Sequence, residues 1–188
     1  MAFDAYRGGY VTSMALASDT PGALKIRLLR HDGSAEHLPG FEGKTLNAFC
    51  ATGDGRIYFQ EQPPTFSDPY PIRWIDEHGA GYTLLDATGT APLDFQVEHM
   101  VYHQPSNSLV ATTSNFWSAN HCTSIGPSAF RVPLSADGTK VDGPIVCASF
   151  ASSWHYVVSI DELPSGNLLL VTGTGALGPV DRMIELNP

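Results

Sequence analysis

The stretch HYVVSIDELPSGNLLLVTG, residues 155–173, contains two short apolar runs joined by the turn sequence LPSGN. Both runs are rich in Val, Ile and Leu, and neither sustains the spacing of an amphipathic helix. Gly166, in the turn, is a residue type that allows a tight connection between strands. The stretch therefore predicts two adjacent antiparallel β-strands.

The same arrangement recurs along the chain. A turn residue precedes an apolar strand segment four times, at intervals of 46, 52 and 59 residues, at Gly9, Gly55, Asn107 and Gly166. An arginine near the start of the following strand recurs at intervals of 46, 58 and 51 residues, at Arg27, Arg73, Arg131 and Arg182. Two markers that keep step at this period, with several strands in each unit, are typical of propeller blades.

We therefore predict an all-β fold, a β-propeller of about four four-stranded blades in a single domain, residues 1–188. The predicted blades are approximately 1–44, 45–95, 96–153 and 154–188. The sequence reaches Pro188 directly after a third strand, so the last blade is predicted to be incomplete. Three alternatives stay open: a four-bladed propeller with a short last blade, a piece of a larger propeller, or edges completed in a homo-oligomer, since unpaired edges attract other strands.

Composition excludes several classes of partner. The formal net charge of −9 argues against nucleic acid and against an anionic membrane surface. No apolar run is long enough to span a membrane, and the N-terminus lacks the features of a signal peptide. The three cysteines are widely spaced, without a C-x-x-C pair, and are predicted to be free thiols, which favours a cytoplasmic location.

Candidate site residues come from aligning the four blades. The alignment places Met1, Asn47, His99 and His155 at the start of an innermost strand, around the mouth of the central channel. Histidine there can act as an acid, a base or a nucleophile, so His99 and His155 are the predicted catalytic pair. The alternative is that such histidines are solvated or hydrogen-bonded to a neighbouring strand. The predicted substrate-binding residues are Asn47, Glu98, Trp117, His121 and Trp154.

Two other kinds of sequence pattern resemble ligand-binding motifs but do not indicate a site. Gly173, Gly175 and Gly178 form a G-x-G-x-x-G pattern, but Pro179 follows at once and no helix is predicted after it, so we expect no dinucleotide site. The segments DGSAE, DGRIYF and DGTKVDG are predicted to be hairpin turns and not calcium loops. No cofactor is identified, and a divalent metal is left open without a clear ligand set.

The segments WHYVVSIDELPSGNLLLVTG and EHMVYHQPSNSLVATTSN resemble the blades of gluconolactonase-like, NHL-like and arylsulfotransferase-like β-propellers. Resemblance to the arylsulfotransferase-like members implies a channel histidine that carries a sulfuryl group, here His155 or His99. Resemblance to the gluconolactonase-like members implies a divalent metal held by axial carboxylates and asparagines, for which only Asn47 and Glu98 are suitable.

The predicted function is a small-molecule site at the channel mouth that binds or transforms its ligand, in a reaction of the hydrolase, lyase or transferase type. The alternative is a non-catalytic propeller that serves as a protein–protein interaction module. The sequence does not decide between an enzyme and a binding protein, because it contains no isolated catalytic motif.

Overall fold

The computed structural model describes residues 1–14, 25–61, 71–93, 97–113, 128–149, 155–174 and 180–187. These residues form four antiparallel sheets. The first contains β1 (Ala2–Asp4), β2 (Gly9–Met14), β3 (Lys25–Leu29) and β4 (Ala35–His37). The second contains β5 (Leu46–Ala51), β6 (Ile57–Glu61), β7 (Arg73–Ile75) and β8 (Gly81–Thr83). The third contains β9 (His99–His103), β10 (Ser108–Thr113), β11 (Ser128–Pro133) and β12 (Val146–Ser149), and the fourth contains β13 (His155–Glu162), β14 (Leu168–Thr174) and β15 (Val180–Leu186).

Each sheet is a meander in which strands adjacent in sequence are adjacent in space. The first strands of the sheets, β1, β5, β9 and β13, contact one another in that order, so they are the innermost strands of four successive blades. This confirms the predicted all-β propeller. The fourth blade contains three strands within the described part of the chain, which agrees with the predicted incomplete last blade. The described residues include no helix that is both long and apolar enough to span a membrane.

The turn residues that reveal the period in the sequence have a common backbone conformation. Gly55, Asn107 and Gly166 have φ angles of 91°, 44° and 81°, in the left-handed region. Asn107 tolerates this conformation because its side chain is fixed, donating from Nδ2 to the carbonyl of Leu134 at 2.9 Å. In blade one the left-handed residue is Gly8, one position before the predicted marker Gly9.

The predicted DG hairpin turns are confirmed, and the aspartates organise them. Oδ1 of Asp32, Asp54 and Asp137 each accepts a hydrogen bond from the backbone N–H two residues further on, at 2.8, 3.1 and 3.2 Å. This is the Asx-turn pattern, in which the carboxylate replaces a backbone carbonyl. The aspartates therefore stabilise the connections β3–β4, β5–β6 and β11–β12.

Apolar residues alternate along the strands, so each interior blade buries both of its faces. Val11, Ile26 and Leu28 of blade one pack against Ile57, Phe59 and Ile75 of blade two. The other face of blade two, with Tyr58 and Trp74, packs against Leu109 and Phe130 of blade three. The other face of blade three, with Val110 and Ala129, packs against Leu168 and Leu170 of blade four.

The recurrent arginines are not equivalent in the structure. Arg73 is the cross-strand partner of Phe59, on the side of blade two that packs on blade one. Arg131 is the cross-strand partner of Val110, on the side of blade three that packs on blade four. The recurrent arginines therefore mark the period of the repeat correctly, but they lie on different faces of their blades.

The prediction of three free thiols is wrong, because Cys147 is disulfide-bonded. Cys50 is free and buried, and burial raises the pKa of its thiol far above the ordinary value. Cys147, in β12, is disulfide-bonded. Disulfides are typical of oxidising compartments, so this bond removes one of the observations on which the predicted cytoplasmic location depended.

Candidate functional site

A central cavity of about 500 Å³ lies between the innermost strands. Its described walls are segments 1–3, 47–51, 98–102 and 159–162, so every blade contributes one segment. Cavities at the axis of a repeated fold collect side chains that are distant in sequence. The sequence predicted a site at this place, and the structure brings three of its residues, Asn47, Glu98 and His99, to the wall of one cavity.

His99 connects blade three to blade four. Its ring Nε2 lies 3.0 Å from the carbonyl oxygen of Val157 in β13. A carbonyl only accepts hydrogen bonds, so Nε2 carries the proton in this contact. The neutral ring then has a lone pair on Nδ1 alone, and Nδ1 is the only atom of His99 that could take a proton from a ligand. The alternative stated for the channel histidines, hydrogen bonding to a neighbouring strand, therefore describes His99.

Asn47 makes the corresponding contact between blades two and three. Its side-chain Nδ2 donates to the carbonyl of Val97, just before β9. Asn47 also lies at an irregularity in the pairing of β5 with β6, between Leu46 and Ala48. A bulge of this kind turns a side chain away from the regular alternation. The amide of Asn47 is thus fixed at the cavity wall by the next blade.

In blade four the residue equivalent to His99 is Ser159. His99 pairs with Thr112, the fifth residue after the left-handed turn residue Asn107, and Ser159 pairs with Val171, the fifth residue after Gly166. The pairing of β13 with β14 is shifted between Val157 and Ser159, which the sequence does not reveal. The described wall of blade four accordingly begins at Ser159.

His155 begins β13, where its backbone pairs with Thr174. The structure describes the backbone of this residue but not its side chain, so its catalytic role stays a prediction. Trp117, His121 and Trp154 lie outside the described residues.

The described wall of the cavity is rich in acidic side chains. Its described wall contains three carboxylates, Glu98, Asp161 and Glu162, and neither lysine nor arginine. Like charges that share a concave surface produce a negative potential, which repels anions and attracts cations. Asp161 and Glu162 are exposed, and Asp161 Oδ1 accepts from the backbone N–H of Glu162 at 2.9 Å. A ligand of this cavity is therefore expected to be neutral or cationic.

Asp161, Glu162 and Ser159 were not predicted from the sequence as site residues. The sequence did contain a signal, because two consecutive acidic residues end an innermost strand that is apolar at Val157, Val158 and Ile160. An alignment of the blades without a register shift places His155, at the other end of the same strand, at the channel.

The described residues do not fit a metal site. Among them, no three His, Cys, Asp or Glu side chains converge closely enough to hold a metal ion. Asn47 and Glu98, the pair that the gluconolactonase-like resemblance implies, supply one carboxylate and one amide that is bonded to Val97. Divalent cations require several oxygen ligands at short distance, so we derive no chemical step through a metal.

Comparisons with known proteins do not assign the chain to a family. No protein-family model matches the chain, and no curated protein is similar to it. Among solved structures, the chain is similar to a gluconolactonase from Xanthomonas campestris that is described as important in glucose secondary metabolic pathways. The identity is 17% and the TM-score 0.48, over 87% of this chain and 55% of that one, so this chain spans about half the length of the solved protein. The propeller described above is established by the four sheets of this chain and not by this similarity.

Proposed function

We propose that the central cavity binds a small molecule and that the residues at its wall position it for binding or for a hydrolase-, lyase- or transferase-type reaction. One observation supports this proposal above the others. The four innermost strands, from separate repeats of the chain, enclose one concave space with His99, Asn47 and Glu98 at its wall. A concave site with a few convergent polar groups is the usual form of a small-molecule site.

The chemistry follows from the hydrogen bonds and charges. Nδ1 of His99 is available as a base or nucleophile, because the contact with Val157 occupies Nε2. Asn47 is the proposed orienting group, and the carboxylates favour a neutral or cationic substrate. Transfer of an anionic sulfuryl group is disfavoured, because the described wall offers no lysine or arginine side chain to stabilise it. His155 remains the second proposed catalytic residue, on the sequence argument.

The test is to fill the cavity without disturbing the fold. Ser159 is exposed at the wall, so Ser159→Trp should occupy the mouth, whereas Ser165→Trp, at an exposed turn position outside the wall, is the matched control. Ligand-observed NMR with gluconolactone, choline and p-nitrophenyl sulfate compares neutral, cationic and anionic probes. We expect binding of a neutral or cationic probe that Ser159→Trp abolishes and Ser165→Trp retains. Preference for the sulfate ester would contradict the proposal.

A second function, an interaction module without catalysis, is supported by a different observation. On blade one, Phe3, Tyr6 and Tyr10 are exposed by 51%, 57% and 38%. The Phe3 and Tyr10 rings lie 5.1 Å apart and form a continuous aromatic surface. Exposed apolar patches of this kind mark binding surfaces. A second copy of the chain is the proposed partner, through the open blades.

We also propose, from the repeat alone, that residues 1–188 form a single domain. The cytoplasmic location stays a prediction from the sequence, and the disulfide of Cys147 weakens it. Measuring the redox state of Cys147 in the protein from its native cells would test the location directly. A reduced thiol supports the cytoplasm, and an intact disulfide contradicts it.

A further inference from the structure

The dipeptide Asp-Gly occurs four times in the chain, and three of the four pairs form the hairpin turns described above. In this dipeptide the aspartate is chemically reactive, because glycine has no side chain to hinder attack of its backbone nitrogen on the preceding carboxyl group. The attack closes a five-membered succinimide ring. The four pairs share this chemistry, so the fold decides which of them reacts: Asp32–Gly33, Asp54–Gly55, Asp137–Gly138 or Asp142–Gly143.

The carboxylates of the three hairpin turns are held by hydrogen bonds. Besides the backbone N–H of the Asx-turn, each accepts from a nearby hydroxyl, Ser34 for Asp32, Thr52 for Asp54 and Ser135 for Asp137. Ring closure expels a hydroxyl from the carboxyl group, so the neutral acid is the form that reacts. Because the Ser135 hydroxyl and other donors lower the pKa of Asp137 to about 2, its neutral form is scarce at neutral pH.

The glycines of these turns are fixed as well. The backbone N–H of Gly33 donates to the carbonyl of Arg30 at 3.0 Å, and that of Gly138 donates to the carbonyl of Ser135 at 2.7 Å. A nitrogen whose N–H is bonded in the turn is not free to rotate toward the carboxyl carbon. Gly55 is buried, with the Tyr6 ring 2.9 Å from the position that a Cβ would occupy. The folded chain therefore protects all three pairs.

The fourth pair, Asp142–Gly143, lies in the connection that leads into β12, and both residues are exposed. Within the described part of the chain, the Asp142 carboxylate and the Gly143 amide N–H make no hydrogen bond. No described atom beyond the chain neighbours lies within 4 Å of the position that a Cβ on Gly143 would occupy. The nitrogen, the carboxyl group and the water needed to open the ring are therefore all accessible at this pair.

The backbone on both sides of this pair is anchored. Val141 is buried and its N–H donates to the carbonyl of Leu85 at 2.9 Å, while the N–H of Asp142 donates to the carbonyl of Pro133 at 2.9 Å. On the other side, Val146 pairs with β11. An isoaspartyl bond, in which the chain runs through the aspartate side chain, adds one backbone carbon. The exposed segment between the anchors can absorb this carbon without moving the core.

We propose that Asp142–Gly143 is a modification site, at which the folded chain forms an isoaspartyl bond while its other three Asp-Gly pairs stay unchanged. The Gly143 nitrogen bonds to Cγ of Asp142, the Cγ–hydroxyl bond breaks, and the hydroxyl leaves with the amide proton as water. A second water opens the ring at the former backbone carbonyl, which becomes a free α-carboxylate. Mass and net charge do not change, and water is the only co-reactant. This site is independent of the function proposed for the central cavity.

The test is to incubate the whole chain in heavy-oxygen water at neutral pH, once folded and once unfolded in urea. Each opening of the ring adds one heavy oxygen atom, and electron-transfer fragmentation distinguishes isoaspartate from aspartate. Trypsin then separates the four pairs, because cleavage after Lys and Arg places them in different peptides, residues 31–44, 45–56, 132–140 and 141–182.

We expect Asp142 of the folded chain to take up label at least about tenfold faster than Asp137, whose pKa is lowered and whose glycine is bonded. In urea the hydrogen bonds of the turns are absent, so all four peptides should take up label at similar rates. Asp142→Glu is the matched control. It keeps the charge but can close only a six-membered ring, so label at position 142 should disappear while the other peptides are unchanged.

Three outcomes overturn the proposal. The first is equal labelling of Asp137 and Asp142 in the folded chain, which needs no variant to interpret. The second is labelling of Asp142 that is fast in urea and absent in the folded chain, since the fold would then protect this pair too. The third is label in the peptide 141–182 that persists in Asp142→Glu, because another residue would then be the one that reacts.

Discussion

His103 is buried, and both of its ring nitrogens are hydrogen-bonded. Nε2 donates to the carbonyl of Gly166 in the β13–β14 turn at 2.6 Å, and Nδ1 lies 2.6 Å from the hydroxyl of Ser106. His99 and His103, four residues apart on β9, thus both bind backbone carbonyls of blade four. Residues four apart in a strand share a face, which the sequence predicts. These two histidines therefore link blade three to blade four.

Replacing His103 by Ala should lower the free energy of unfolding by about 2 kcal/mol, because the carbonyl of Gly166 and the hydroxyl of Ser106 each lose a partner. His103→Gln should lose less, since its amide can still donate. Urea denaturation measures both. His78→Ala, at a side chain that is 81% exposed, is the control and should change little. Equal losses in the Ala and Gln variants would mean that packing and not hydrogen bonding is the cause.

Arg7 and Asp4 form the second residue-scale contact between blades. The Arg7 guanidinium donates to Asp4 Oδ2 at 2.6 Å and to the carbonyls of Gly55 and Asp76 in blade two. Asp4 is completely buried. Breaking such a pair leaves a buried carboxylate with too few donors.

We therefore expect Arg7→Ala to lower the free energy of unfolding by about 3 kcal/mol. Arg73→Ala removes an exposed ion pair with Glu61 and should cost about 0.5 kcal/mol. Chemical denaturation of both variants tests the difference. Similar losses would contradict the role given to the buried pair.

At the scale of elements, the turns between strands depend on ionised aspartates. Hydrogen bonds from the Ser135 and Thr139 side chains and from the Thr139 backbone lower the pKa of Asp137 from 3.8 to about 2. The pKa values of Asp32 and Asp86 are also lowered, mainly by the hydroxyls of Ser34 and Thr88. The sequence predicts the turns at Asp32 and Asp137 because Asp-Gly is a local turn signal, whereas Asp86 is followed by Ala87 and its turn was not predicted.

The sign of the pH effect follows from the lowered pKa. Asp137 binds its proton more weakly in the folded chain, so its contribution to stability is complete above its unfolded pKa of 3.8 and is lost as the pH falls toward about 2. Asp137→Asn should therefore be less stable than the unmodified chain at pH 7, and the difference should shrink through this window. Thermal unfolding between pH 2 and 7 measures it. A constant difference across the window would show that ionisation is not involved.

At the scale of the whole molecule, the blades at the two ends of the series each have one face without a neighbouring blade in the described structure. The exposed face of blade one has Tyr10 at its centre, in contact with Phe3 and with the His31 ring at 6.2 Å. Such a face favours association with another protein surface.

We expect the chain to have a mass in solution above the 20.2 kDa of one copy, and Tyr10→Ser to shift it toward the monomer. Tyr82→Ser, at an exposed ring stacked on Trp74 in blade two, is the control and should leave the mass unchanged. Light scattering coupled to gel filtration measures all three. A monomer at all concentrations would exclude association through this face.

Much of the site could be predicted, because the period assigns Asn47 and His99 to the innermost strands without any tertiary information. Ser159 could not, because the register shift between Val157 and Ser159 is decided by how β13 packs, and one extra residue changes which side chains face the axis. Arg131 was predicted only as a repeat marker. That Arg131 lies on the side of blade three that packs on blade four depends on which face of β11 meets that blade.

The sequence by itself determined the strands, the hairpin turns and the period of the repeat, because these depend on local signals: apolar alternation, left-handed turn residues and aspartates that close hairpins. The tertiary structure alone decided which polar groups meet. Asn47, Glu98 and Asp161 line one cavity because the innermost strands of separate blades converge on one axis. Hydrogen bonds to backbone carbonyls of the next blade occupy Nε2 of His99 and one N–H of the Asn47 amide. Contacts between residues about 50 positions apart have no local signature, so only the packed blades define them.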